Sequence, residues 1–295
     1  MSIKDNALIV SLYVGKPQMT KTDERGTIAA EQANNARDAG NYRKNLYPAS
    51  LVKPLRAVES AARAYLESVT YSWARGEYLL PTVRFMEVAD RMDKFALEYD
   101  LCATAFLNNW ANVMHHAKQH QGKMFDHSVY PDVSDLKRRF KLITNYKPVT
   151  DMSDFRVAQS MKDDERAKLS SVVEANTKQA TEDMLREPLE RLRDVVAKLN
   201  TTMLKPEREV VNARKNVIEV KPPIFRNSLV DNIIHEINLL HDFASILPDD
   251  INNITQLATT VVHDPDALRN SQDLREQTHI DTSALLGAID SLLED

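Results

Sequence analysis

The sequence predicts a mainly α fold, a long-helix bundle with a small β element, in a novel topology rather than an OB-fold. Three observations carry this expectation. There are only 6 glycines in 295 residues, apolar side chains recur every three or four positions over long stretches, and residues 7 to 14 form one short apolar run suited to a strand. So few glycines disfavour the turns and bulges of a barrel or sandwich and any glycine-rich phosphate cradle. With 43% hydrophobic residues the chain can bury a real core.

The elements follow in order. The run "ALIVSLYV" is too short to span a membrane, and the start lacks the cationic opening and cleavage pattern of a secretory signal. Residues 15 to 46 are polar and poor in large apolar side chains, and read as a loop or arm. From Pro48, Leu51, Leu55, Val58, Ala62, Tyr65, Leu66 and Val69 recur at helical spacing and predict a helix with one buried stripe. In "YSWARGEYLLP" (71 to 81), Gly76 and Pro81 are expected to end one helix and start another. The next helix is predicted to run from about 82 to 120. Its Met92, Phe95, Tyr99, Cys102, Phe106, Trp110 and Val113 approach a heptad rhythm, a seam for another long helix or another subunit.

Ser134 is positioned to cap a short helix over 135 to 140, and residues 142 to 146 and 155 to 157 read as short strands able to pair with 7 to 14. A third long helix is predicted from about 163 to 204, with Pro188 expected to kink it. Asn227 or Ser228 caps a further helix carrying Leu229, Ile233, Ile237 and Leu240, which Pro248 ends. Two or three short helices complete the chain. The terminal "DTSALLGAIDSLLED" reads either as a packed last helix or as a docking tail.

Charge is unevenly laid out. The formal net charge is −5, yet residues 227 to 295 hold thirteen acids against Arg269 and Arg275, a net −11, leaving +6 for the rest. This predicts a basic helical body with its β element and N-terminal arm over 1–226, and an acidic C-terminal helical region over 227–295. The single cysteine, Cys102, excludes a disulfide framework within one chain and fits a reducing compartment, the cytoplasm.

Catalytic signatures are missing: no G-x-x-x-x-G-K-[ST], G-x-S-x-G, H-E-x-x-H or G-x-G-x-x-G occurs. The chain is therefore not expected to be an enzyme, and no cofactor is expected. His116 and His120 have the one-turn spacing of a helical metal pair. The same histidines at a helix C-terminus equally complement the helix dipole, and no metal site is expected.

The positive signal is basic and aromatic. "NYRKNLY" places Tyr42, Arg43 and Lys44 in the polar arm, and "DLKRRFKLITNYKPV" gathers Lys137, Arg138, Arg139, Phe140, Lys141, Tyr146 and Lys147. Single-stranded nucleic acid needs this combination, cations for phosphates and flat rings for unpaired bases. Lys137, Arg138, Arg139, Lys141 and Lys147 are the expected phosphate contacts, extended by Arg43 and Lys44; Phe140, Tyr146 and Tyr42 are the expected stacking rings. The competing interpretation is a solvated cationic face, with Phe140 and Tyr146 as the buried side of a strand.

Four stretches, "YSWARGEYLLPTVRFMEV", "FDHSVYPDVSDLKRRFKL", "MSDFRV" and "PIFRNSLVDNI", together resemble a phage and bacterial family of unassigned function. In that family a tryptophan-bearing turn, a tyrosine-proline, a DFRV and an FR-SLV recur, and the likeness spans roughly 7 to 240. In length, basic aromatic middle and acidic end the chain is also similar to the single-stranded-DNA-binding RNA polymerase cofactors of lytic phages. That resemblance implies binding to unwound promoter DNA and recruitment of a phage RNA polymerase, as a homo-oligomer and with no membrane partner. The broader family implies an alternative, a helical scaffold or adaptor working with an AAA ATPase and without DNA binding.

Overall fold

The computed structural model describes residues 3–150, 162–205, 208–212, 217–221 and 226–294. In chain order the elements are α1 (Ile3–Asn6), β1 (Ala7–Gly15), β2 (Thr20–Thr22), α2 (Glu24–Asn34), β3 (Arg43–Asn45), α3 (Ala49–Ser68), β4 (Tyr71–Ala74) and β5 (Glu77–Pro81). There follow α4 (Phe85–Asn108), α5 (Trp110–Gln121), α6 (Val133–Arg139), β6 (Lys141–Pro148), α7 (Asp163–Met203), β7 (Arg208–Asn212) and β8 (Val217–Lys221). The last elements are α8 (Ser228–Asp242), α9 (Asp249–Thr260), α10 (Pro265–Asn270) and α11 (Gln272–Glu294). The fold is mainly α with a small β element: one four-stranded sheet in the order β4-β5-β1-β6, and two two-stranded sheets, β2-β3 and β7-β8.

The chain divides into two compact units. One comprises Met1–Ile9, Val69–Arg84 and Lys147–Asp295; the other comprises Val10–Ser68 and Phe85–Tyr146. The second carries seventeen Lys and Arg against fourteen Asp and Glu, a net +3, and is here called the basic unit. The first carries twenty-one against twenty-nine, a net −8, and is the acidic unit. Outside residues 227–295 this unit carries nineteen Lys and Arg against sixteen Asp and Glu, a net +3, so its negative charge comes from the C-terminal residues that the linear pattern singles out.

The acidic unit is organised on α7. At 1.5 Å per residue its 41 residues span about 60 Å. Its buried side chains begin only at Met184 and continue through Leu189, Leu192, Val196, Leu199 and Met203. Upstream, charged and small polar residues dominate, so residues 163 to 183 bury nothing. Against the buried half pack α8, through Val230, Ile233, Ile237 and Leu240, and α11, through Leu285 and Ile289. The acidic C-terminus is therefore a packed last helix. Pro188 lies within α7 and is itself buried.

One polar node joins three elements of this unit. The Arg191 guanidinium donates to the Thr70 carbonyl (3.1 Å) and to Glu236 (3.1 Å), and lies over the Tyr71 ring at 5.2 Å. Glu187, one turn back on α7, accepts from the Ser72 backbone N–H at 2.6 Å. β4 is thereby fixed to α7 and α8. Burial raises the Tyr71 phenol far above its ordinary range, with Glu236 adding to the rise.

In the basic unit, α3 and α4 pack as the periodicity predicts, burying Val52, Leu55, Ala62 and Leu66 against Val88, Met92, Phe95, Tyr99, Ala103 and Phe106. The heptad-like seam is thus satisfied inside the chain.

Several sequence expectations are corrected. Residues 71 to 81 form the β4-β5 hairpin, not a helix junction: Gly76 adopts φ +76 in the turn, and Tyr71 pairs with Leu79. The supposed arm 15 to 46 holds β2, α2 and β3. Here Asp23 caps α2 by accepting from Gly26 N–H at 3.0 Å, so hydrogen bonding rather than burial makes this helix, which buries no residue. The helix predicted from 82 to 120 breaks at Asn109, whose φ −98, ψ 19 separates α4 from α5. The short helix near 135 begins at Val133, with Asp132 at its cap position. The strand expected over 155 to 157 lies outside the described residues.

Two substitutions on α7 measure how unevenly it is anchored. Leu192→Ala, fully buried, is expected to lower stability by about 2–5 kcal/mol. Val172→Ala, in the unburied half, is expected to change it by less than about 0.5 kcal/mol. Urea denaturation of both variants checks the contrast.

Candidate nucleic-acid interface

The basic aromatic stretch begins where α6 ends. Leu136 is buried and accepts the Phe140 N–H on its carbonyl at 3.2 Å, closing the last turn of α6. Phe140 is 7% exposed and meets Phe106 edge-on (5.7 Å) and Tyr99 (6.4 Å). With both ends of this turn anchored inward, the three residues between them, Lys137, Arg138 and Arg139, are exposed. In β6 the alternation of a strand takes over, burying Leu142 and exposing Lys141, Ile143 and Asn145.

Arg138 pairs with Asp135, but both are largely solvated, and an exposed pair of this kind is worth only about 0–1 kcal/mol. It is too weak to withhold Arg138 from a phosphate.

A glycine brings a second strand against this run. A Cβ at Gly15 would stand 2.5 Å from the Arg139 carbonyl oxygen, 3.3 Å from Tyr13 Cε1 and 3.5 Å from Lys141 Cβ. Only the missing side chain lets the end of β1 approach Arg139 this closely. The Tyr99 hydroxyl donates to the Gly15 carbonyl at 3.1 Å and holds it there. As a consequence the ring of Tyr13, 57% exposed, lies beside Lys141. Tyr13 was not among the residues singled out by charge and motif. Its signal was the period-2 alternation within 7 to 14, which puts Ser11 and Tyr13 on the face opposite Val10.

The other predicted residues divide. Tyr42 keeps an exposed ring, 45% accessible, lying over Gly26, and Arg43 is exposed with a hydrogen bond to Thr20 at 3.0 Å. Lys44 does not extend a phosphate track. It is 7% exposed, ion-paired to Asp23 at 3.0 Å, and donates to the Met124 carbonyl at 2.6 Å. Phe140 and Tyr146 are not stacking platforms either, because their rings are used in packing. Tyr146 meets Phe85 edge-on at 5.1 Å with its hydroxyl buried. Lys147 is exposed and paired to Glu77 at 2.8 Å, and belongs to the acidic unit. What remains is the exposed run Lys137, Arg138, Arg139 and Lys141, with the Tyr13 ring beside Lys141.

Among the described residues, no group of three or more His, Cys, Asp or Glu side chains is placed to hold a metal, and no helix is long and apolar enough to cross a membrane. His116 and His120 are exposed on α5. No protein-family model, curated protein or solved structure matches the chain.

The buried phenols of this unit are strongly perturbed. Burial pushes Tyr47, Tyr99 and Tyr146 up to about 12; the Tyr130 hydroxyl adds to the rise at Tyr47, Glu59 at Tyr99 and Asp93 at Tyr146. Their neutral forms are favoured in the folded state, so the stability they contribute is complete below the ordinary phenol value near 10. It is lost as pH rises toward 12. Spectrophotometric titration is expected to show these three ionising after the exposed tyrosines and before Tyr71, with unfolding free energy falling between pH 10 and pH 12. Gly15→Ala is expected to cost about 1–3 kcal/mol through the clash with Arg139, read by thermal or urea unfolding.

Proposed function

We propose that this is a non-enzymatic phage protein that binds single-stranded DNA with little sequence preference in the host cytoplasm. It acts as an oligomer and as a transcription cofactor that recruits a phage RNA polymerase to unwound promoters. The observation that carries DNA binding is the exposed run Lys137, Arg138, Arg139 and Lys141 with the exposed Tyr13 ring beside Lys141. Cations track the backbone and a flat ring accepts an unpaired base; neither requires a base-specific contact. The net charge of +3 on the unit that carries this run favours a polyanion, and the −8 of the other disfavours one. The role at promoters and the polymerase partner rest on the resemblance set out from the sequence.

Four phosphate contacts on a single strand would give a salt slope near −2.8, at about −0.7 per contact. Arg138→Ala with Arg139→Ala is expected to flatten that slope by about 1.4 and to weaken binding at low salt. Tyr13→Ala is expected to lose about 1–3 kcal/mol with little change of slope, since it removes stacking and no charge. Gel retardation of single-stranded and duplex DNA of one sequence, at two salt concentrations, checks all three. Affinity indifferent to salt and to the arginine pair would sink the proposal.

A second reading, a scaffold or adaptor for an AAA ATPase, draws on the unburied first half of α7, which offers some 30 Å of helix to a protein partner, at 1.5 Å per residue. Absence of any retarded oligonucleotide, with co-purification of an ATPase, would favour it.

A further inference from the structure

A second cationic feature of the basic unit lies apart from the Lys137 run and is a concave one. Lys21 in the middle of β2, Arg25 in the first turn of α2, and Lys123 and His127 in the two short turns after α5 line one cleft of about 560 Å³. Its buried wall is the Lys44–Asp23 ion pair. Three acids share the lining, and two of them are already engaged. Asp23 binds Lys44 and the Gly26 N–H; Asp126 accepts both the N–H (2.9 Å) and the hydroxyl (2.8 Å) of Ser128. Glu24 is the third. Lys21, Arg25 and Lys123 form no ion pair among the described residues.

Arg25 acts on Asp23 and Lys21 on Asp126 without forming an ion pair, so with Lys44 the cleft gathers four cations against three carboxylates, and the surplus positive charge favours an anion. The cleft also opens at the N-terminal end of α2, where the helix dipole adds a positive potential. A phosphomonoester suits this arrangement better than a carboxylate, because it brings nearly two charges and three acceptor oxygens to donors arriving from separate elements. The volume is larger than a phosphate needs and falls in the range of small-molecule sites, about 300–1,000 Å³. Phe125, held by stacking on Tyr130 at 5.5 Å, supplies an aromatic wall for what the phosphate carries.

We infer that the cleft between β2, α2 and the 122–129 turns is a phosphomonoester-binding site, occupied by a nucleotide or by the 5′-phosphate end of a DNA strand. The inference is independent of strand binding at Lys137 to Lys141, since a nucleotide tests it without DNA. The full-length protein is titrated calorimetrically with ADP, and separately with a short oligothymidylate bearing a 5′-phosphate or a 5′-hydroxyl. Three proteins are compared: the unaltered chain, Lys21→Ala with Lys123→Ala, and Lys137→Ala with Arg139→Ala. If a nucleotide is the ligand, ADP binds and the first pair of substitutions weakens it by about tenfold, while the second pair does not. If a strand end is the ligand, the 5′-phosphate strand binds tighter than the 5′-hydroxyl strand, and the first pair abolishes that preference. Arg25→Ala, changing one exposed side chain, gives the same reading should the double variant not fold. A protein that neither binds ADP nor prefers the 5′-phosphate overturns the inference, as does a preference that survives both cleft variants. Loss of all strand binding with Lys137→Ala and Arg139→Ala, while ADP binding persists, supports the cleft and leaves the two sites separate.

Discussion

The burial of Leu136 and Phe140 is the constraint on which the candidate interface depends. These two residues lie one helical turn apart, and each is drawn inward, Phe140 by the rings of Phe106 and Tyr99. Burying an aromatic side chain is worth roughly 1.5–3 kcal/mol, far more than any one exposed charge contributes. The cations between and just after them are therefore presented to solvent as a consequence of packing. The same anchoring brings the Arg139 carbonyl against Gly15, and so sets Tyr13 beside Lys141. A substitution that releases Phe140 would disperse the interface without touching a cation.

The fold joins the acidic C-terminal region to earlier segments of the chain in one unit. The acidic unit collects segments from the start, middle and end of the chain around α7, and the Arg191 node ties β4 to α7 and α8 within it. That node places a guanidinium between two carboxylates and a buried ring, a geometry in which removing any partner leaves a charge poorly compensated. The basic unit buries an ion pair of its own, Lys44–Asp23. Its interior is aromatic: Tyr47 contacts Phe106, Trp110 and Tyr130, and Phe106 passes the contact to Phe140.

That aromatic interior explains why ring content was a poor guide to stacking platforms. A ring serves a base only if one face reaches solvent, and the energetic preference of a ring near other rings is to be covered. Tyr146 and Phe140 follow that preference. Tyr13 and Tyr42 stay exposed while lying against glycines, Gly15 and Gly26. Lys44 shows the converse: a cation in a basic run is withdrawn because Asp23, the cap of α2, needs a partner where it is partly buried.

The sequence by itself determined the mainly α class, the helices α3, α7 and α8, the strands β1 and β6, and the exposure of the 137 to 141 cations. Each rests on a local periodicity that survives whatever the chain packs against. Tertiary structure decided the rest. "YSWARGEYLLP" becomes a hairpin because Gly76 takes a left-handed turn and Tyr71 finds the Arg191 node, 120 residues away. The polar arm becomes structured because Asp23, Lys44 and Met124 meet from three separate segments. Which rings are buried, which lysines are paired and which segments share a charged unit are properties of contacts between distant residues. No spacing along the chain encodes them.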